Sequence, residues 1–188
     1  MKSTMTLLVV EDREHHLADV KAMLAIELLH LSLKLEVIYA STLEEAERLL
    51  AQADIVMTDV FFPAKAGGDA EEPNGKVVVE RCLEANKPVV WVTSTFHHGR
   101  KTNEVSEWGR ARGLEMFDCK GVFDGEGKYK PWKAALWALF YAVVARDNGD
   151  PNAKPVLGEG WIPKTVQGAR KNPVWNKMLE MGFRILEE

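Results

Sequence analysis

Cysteine is scarce in this chain, and the two present, Cys82 and Cys119, lie far apart with no Cys-x-x-Cys spacing. Neither a disulfide framework nor a thiolate metal cluster is indicated, a reducing compartment fits, and both thiols read as small buried hydrophobes. Long apolar runs are lacking as well. The N-terminal stretch MKSTMTLLVVEDREHH holds an apolar run of only four residues before acids appear, too short for a secretory signal. The longest apolar stretch, Ala134 to Ala145, is too short to cross a bilayer as a helix. A cytoplasmic protein without membrane contact is the resulting expectation. An excess of basic charge is also missing, since 24 Lys and Arg against 28 Asp and Glu leave a net charge of −4. Coating a phosphate backbone needs a concentrated basic face, so direct nucleic-acid binding is not expected.

What is present is an ordinary globular composition, 46% hydrophobic and 28% charged, with six Trp and seven Phe to fill an interior. The 188 residues allow one sizeable core and not two domains of ordinary length. Short β-branched runs at Thr6 to Val10, Leu35 to Tyr39, Asp54 to Thr58, Pro88 to Val92 and Leu114 to Cys119 read as strands. Between and after them, helical patterns run at about Glu14 to His30, Leu43 to Ala51, Gly75 to Ala85, Asn103 to Arg112 and Pro131 to Arg146. Ser41 and Thr42 stand where an N-cap belongs, with Glu44 and Glu45 facing the positive end of the helix dipole. Five βα units under the right-handed crossover rule give an α/β fold, a doubly wound five-stranded parallel sheet in a three-layer sandwich. From Asp147 onward Pro151, Pro155, Pro163 and Pro173 break any long element. Residues 1–146 therefore read as the main domain and 147–188 as a linker with a short helical extension, its last helix at roughly Val174 to Leu186.

In open α/β sheets the site forms beyond the carboxyl ends of the strands. There the sequence places Glu11 and Asp12 after the first strand, Asp59 after the third, Thr93 after the fourth and Lys120 after the fifth. Three carboxylates converging on one rim repel unless a cation is present, and a hard divalent ion resolves the conflict. Magnesium takes oxygen ligands, with Asp12 and Asp59 the candidates for direct coordination. A metal-held Asp59 carboxylate is a competent nucleophile toward a phosphoryl donor. Lys120 and the Thr93 hydroxyl would then face the phosphoryl oxygens.

These residues, in this order, resemble the receiver domain of two-component response regulators, over about residues 5 to 146. LLVVED resembles the family's first strand with its acidic pair. ADIVMTDVFFP resembles the third, in which Pro63 follows the phosphoacceptor position by four residues. KPVVWVTS resembles the fourth, with its switch hydroxyl at Thr93 and a small residue at Ser94, and MFDCK the fifth, with Phe117 three positions before Lys120. The resemblance implies a flavodoxin-like fold and a magnesium site of Glu11, Asp12, Asp59 and the Phe61 carbonyl. It further implies switching by Thr93 and Phe117, and phosphate access governed by Phe61, Ser94 and Thr95. A histidine kinase or histidine phosphotransfer protein would be the donor. A downstream protein partner would read the face built by the fourth helix, fifth strand and fifth helix.

The sequence departs from that pattern in three places. The loop AKAGGDAEEPNG after Pro63 is long, with Asn74-Gly75 restoring the start of the third helix. The loop STFHHGRK after Thr93 is also extended. Gly121 stands where the family commonly has proline after the lysine, and without proline a cis peptide there costs about 3 kcal/mol, so a trans bond and another path into the fifth helix are expected.

Competing readings accompany each motif. His15, His16, His97 and His98 suit a transition metal, but adjacent histidines point differently on a helix. Gly125 and Gly127 in DGEGK imitate part of a phosphate loop without its full spacing. Trp108, Trp132 and Trp137 read as packing rather than nucleotide stacking. The segment AALWALFYAVVA is apolar on every side, so something must cover its outer face: the C-terminal tail, through Trp161, Trp175, Met178 or Leu179, or a second copy in a homodimer. A haloacid-dehalogenase-like phosphatase would need a second Asp where Phe61 stands. The remaining alternative to a phosphoacceptor is a pseudo-receiver that binds a partner without phosphorylation.

Overall fold

The structure, a computed structural model, describes residues 3–94, 102–118, 130–155 and 166–183. Five strands, β1 (Thr4–Val10), β2 (Lys34–Ala40), β3 (Ile55–Thr58), β4 (Val89–Val92) and β5 (Met116–Phe117), form one sheet in the order β2-β1-β3-β4-β5. Every pairing is parallel. This is the flavodoxin-like doubly wound order expected from the alternating pattern. The helices are α1 (Glu14–Glu27), followed by a 3-10 turn at Leu28–His30, α2 (Leu43–Leu50), α3 (Asn74–Glu84), α4 (Asn103–Arg110), α5 (Trp132–Asp147), α6 (Val166–Arg170) and α7 (Pro173–Glu180). None of the described helices is long and apolar enough to cross a membrane.

The central strands β3 and β4 are buried throughout because both faces of the sheet are covered. Alternation sorts their side chains. Leu7, Val9, Ile55, Met57, Val90, Val92 and Phe117 enter the core under α1 and α5. Leu8, Val10, Val56, Val89, Trp91 and Met116 enter the core under α2, α3 and α4. On α1 a single stripe, His16, Val20 and Leu24, is buried at i, i+4 and i+8. Thr42 caps α2 by accepting from the Glu45 amide at 3.2 Å, while the Glu45 carboxylate accepts from the Ser41 amide at 2.8 Å. The reciprocal pattern of a capping box is thus built one residue wider.

The tail resolves the question raised by α5. Trp132, Leu136, Leu139 and Phe140 are buried, and so are Trp137 and Val144, on other sides of the same helix. The covering comes from within the chain. Trp175 of α7 meets Trp137 edge-on at 6.1 Å and Tyr141 at 5.7 Å, Phe183 meets Phe140 at 4.9 Å, and Met178 is fully buried. The apolar face a homodimer would have used is taken up by the chain's own extension, with Leu179 half-buried beside it. Trp161 lies outside the described residues. Pro173, expected only to break structure, opens α7 at a position where its missing amide is harmless, while Asn172 caps the helix through its side-chain oxygen. The chain then turns at Gly182, whose φ of +98° and whose approach to His30 (a Cβ would lie 1.7 Å from the carbonyl oxygen) admit only glycine. Beside it Ser32 donates to the Met181 carbonyl at 2.8 Å, tying the tail to the turn before β2.

Three boundaries differ from expectation. β5 holds only Met116–Phe117, because pairing with β4 is confined to Trp91 with Met116 and Val92 with Phe117. α6 was not legible, being too short to show a period. α7 ends at Glu180 rather than near Leu186, before the Gly182 turn.

Candidate functional site

Backbone pairing continues past the ends of β1 and β3 and brings their acids to one level. The Glu11 amide donates to the Ala40 carbonyl and the Asp59 amide to the Val10 carbonyl, each at 2.9 Å. Carboxylate oxygens of Glu11, Asp12 and Asp59 then lie within 4.8 Å of one another. Into this group reaches Lys130, from just before α5, its side chain fully buried. The Lys130 Nζ stands 2.5 Å from Asp59 Oδ2 and 2.6 Å from Glu11 Oε2. The second Asp59 oxygen accepts from the Val60 amide at 2.6 Å, and Glu11 Oε1 from the Arg13 amide at 3.0 Å. Asp12 differs from its neighbours: its buried Oδ1 has no hydrogen-bond partner among the described residues.

The glycine of the expected Asn74-Gly75 restart has a steric reason. A Cβ at Gly75 would lie 2.1 Å from the Asp59 carbonyl oxygen, so only glycine lets α3 start against the loop that carries Asp59. Gly75 donates to the Val60 carbonyl at 3.0 Å and accepts from the Trp91 indole at 3.1 Å. Asn74 reaches back to the Phe62 carbonyl at 2.7 Å. The long loop after Pro63 returns beside its own start, where Pro63 and Ala64 offer their carbonyls to the first amides of α2.

Charge and burial conflict at this edge. Burial raises the Glu11 carboxyl to about 7, with Lys130 opposing the shift and Asp59 adding to it. Asp12 is raised from the ordinary carboxylate range, first by burial and then by Asp59. Fully ionised, the three carboxylates against one ammonium leave two negative charges in excess, which a divalent ion would match while favouring their ionised forms. The donors are all oxygens, one of them an unpartnered buried Oδ1, and that set suits a hard cation such as magnesium and not a soft one.

Of the other residues expected at the site, Thr93 is buried, and its amide donates to the Phe117 carbonyl at 2.9 Å. Phe117 is buried in β5, while Phe61 and Ser94 are half-buried. Thr95 and Lys120 lie outside the described residues, as do Cys119, Gly121, Gly125, Gly127, His97 and His98. Sequence reading missed Lys130. The signal was the dipeptide Lys130-Pro131: the proline that the family pattern sets after its lysine, absent at Gly121, stands here.

Among the described residues the only grouping able to hold a metal is the acidic trio, and neither His15 nor His16 belongs to it. His15 is exposed, whereas His16 is buried with both ring nitrogens unpartnered among the described residues. Burial holds its imidazole down at about 3, with Lys130 adding to the effect. Trp132 and Trp137 are buried packing residues, and Trp108 rests on Trp91 at 5.6 Å. Cys82 is a buried thiol pushed up to about 12 by desolvation.

No family model matches the chain, and no curated protein matches it. Solved structures similar to it include a response regulator receiver domain protein from Clostridium thermocellum, at 20% identity over 61% of this chain and 79% of that one, with a TM-score of 0.41. Another is the RcsB response regulator of Salmonella typhimurium, at 13% identity over 78% of this chain and 84% of that one, with a TM-score of 0.30.

Proposed function

We propose that the chain is a receiver that accepts a phosphoryl group on Asp59 and signals by protein contact. The observation that carries this reading is the buried Lys130 ammonium held between Asp59 and Glu11, beside an Asp12 oxygen that lacks a partner. Asp12, Asp59 and the Phe61 carbonyl would hold magnesium, with Glu11 next to it. When bound, the ion neutralises charge on the carboxylates and on the incoming phosphoryl oxygens.

In the transfer, an Asp59 oxygen attacks phosphorus on a phosphohistidine of a kinase or phosphotransfer protein. A carboxyl–phosphoryl O–P bond forms as the P–N bond breaks. The electron pair leaves with the imidazole, which takes up a proton from water. Lys130 turns from the Asp59 oxygen to a phosphoryl oxygen, in the role the sequence pattern gave to Lys120. The Thr93 hydroxyl donates to another. Because Thr93 and Phe117 are joined through the backbone at the end of β4 and β5, movement of the hydroxyl passes to Phe117 and so to the surface.

Intact mass after incubation with magnesium and a small acyl-phosphate donor tests the reading, with Asp59→Asn as control. One magnesium-dependent phosphoryl adduct, absent from Asp59→Asn, supports it. A specific observation favours the pseudo-receiver as the second reading: Asp59 is only 5% exposed, with one oxygen on Lys130 and the other on Val60. Failure to label under conditions that label an ordinary receiver would turn the assignment to that phosphorylation-independent module.

A further inference from the structure

At the opposite, amino-terminal edge of the sheet, a cavity of about 230 Å³ opens where β4 begins. Three cations from separate places line it: Lys87 before β4, Arg146 in the last turn of α5, and Lys154 in the segment after α5. Among the described residues no carboxylate lines it, and none of the three cations makes an ion pair. Burial lowers the Arg146 guanidinium from its ordinary value and outweighs the opposing pull of Asp150, which is not among the lining residues. A second cavity on the far side of Arg146 and Pro88 is the one that Asp54 and Asp147 line.

The cations first serve the fold. Lys87 donates to the Leu50 and Ala53 carbonyls at 2.7 and 2.6 Å, Arg146 to the Asn86 and Ala153 carbonyls at 2.8 Å each, and Lys154 to the Arg112 carbonyl. Leu50, Asn86 and Arg112 close the ends of α2, α3 and α4, where each helix dipole is equivalent to roughly −0.5 charge. These three helix ends and the end of α5 that carries Arg146 together offset about two of the three full positive charges, and the lining cations keep a positive excess with donors to spare. Lys154 has two protons unspent, Lys87 one, and Arg146 its Nη2 group.

We infer that this cavity binds a small phosphorylated organic molecule. The donor geometry favours phosphoryl over carboxylate. With the Arg146 Nε given to Ala153, the side-on fork that grips a planar carboxylate is occupied, while unspent donors on three separate side chains suit the several oxygens of a phosphoryl group. Asn86 and Asn152 line the same cavity, and Leu83 and Leu114 add apolar surface to it. A volume above the roughly 150 Å³ that holds benzene leaves room for a ring-sized body. The inference is independent of the reading of Asp59, which lies at the other edge.

The test is a calorimetric titration of phenyl phosphate into the full chain without magnesium, repeated with benzoate, and with Lys154→Ala and Asp59→Asn. Lys154 is exposed and loses one hydrogen bond on truncation, so a urea unfolding curve of Lys154→Ala run alongside separates lost binding from lost folding. Expected are saturable binding of phenyl phosphate, at least about tenfold weakening in Lys154→Ala from loss of a charged donor, and unchanged binding in Asp59→Asn. No saturation by millimolar ligand overturns the inference, as does binding that ignores Lys154→Ala or disappears in Asp59→Asn. Benzoate binding as tightly as phenyl phosphate overturns the phosphoryl assignment.

Discussion

The two edges of this one sheet gather charged side chains and treat them differently. At the amino edge, Lys87, Arg146 and Lys154 each rest on backbone carbonyls near helix ends, and they are half-buried or exposed. At the carboxyl edge, Glu11, Asp12 and Asp59 crowd within 4.8 Å of one another around a single buried lysine. Helix dipoles favour the observed sign of charge at each edge, since α1 and α3 begin beside the acids and α2, α3 and α4 end beside the bases. The difference is burial. Dipoles and solvent suffice at the amino edge, whereas the acids keep an excess that neither Lys130 nor the fold offsets. A site that retains such a conflict is built to be completed from outside.

The sharpest way to break this contrast is to remove one lysine from each edge. Lys130→Met leaves two buried carboxylates facing each other and is expected to lower the unfolding free energy by about 3 to 5 kcal/mol. Lys87→Met loses hydrogen bonds at a half-buried position and is expected to cost about 1 to 2 kcal/mol. Urea denaturation of both variants measures the gap, and equal losses would undo the contrast. Gly75→Ala sets a methyl group against the Asp59 carbonyl and is expected to cost about 1 to 3 kcal/mol. Because the strain falls on the loop carrying Asp59, magnesium affinity should drop in the same variant.

Asp12→Asn separates binding from stability. It removes a charge from the crowded edge, so the magnesium-free protein should keep or gain stability by about 0.5 to 1 kcal/mol while magnesium affinity, read by titration, falls at least tenfold. A stability loss with intact affinity would make Asp12 an ordinary structural residue.

At neutral pH the smallest effect concerns His16, whose effect on stability shows only on acidification; it is buried near Lys130, His15 and Arg13, all of which oppose its charging. Its imidazole is held at about 3 against 6.5 when unfolded, so the unfolded chain takes the proton first. Its contribution is complete above pH 6.5 and is lost as pH falls toward 3. The wild type should lose stability on acidification faster than His16→Leu, with a difference approaching about 1.4 kcal/mol per pH unit for one proton. Parallel pH profiles would mean that His16 is not held neutral.

Much of this was legible in the chain because local chemistry and global fold agree. β-branched runs separated by amphipathic helices dictate the parallel sheet, and acids placed directly after the first and third strands must meet at its carboxyl edge. The all-round apolar α5 announced a covering element, and the tail's Trp175 and Met178 supply it. Lys130 was hidden for a physical reason: a lysine reaches far along its four-carbon stem, so its distance from a strand end in sequence does not say which carboxylate it meets. The cations of the amino edge were invisible for the same reason, because their convergence depends on where α5 ends and how the following segment returns.

The most direct test of the central claim is intact mass after magnesium and an acyl-phosphate donor on three proteins, the wild type, Asp59→Asn and Lys120→Met. The account predicts one phosphoryl adduct on the wild type and on Lys120→Met and none on Asp59→Asn, since it proposes Asp59 as the acceptor and Lys130 as the lysine that serves it. An adduct that persists in Asp59→Asn or vanishes in Lys120→Met, or a wild type that never labels, would contradict it.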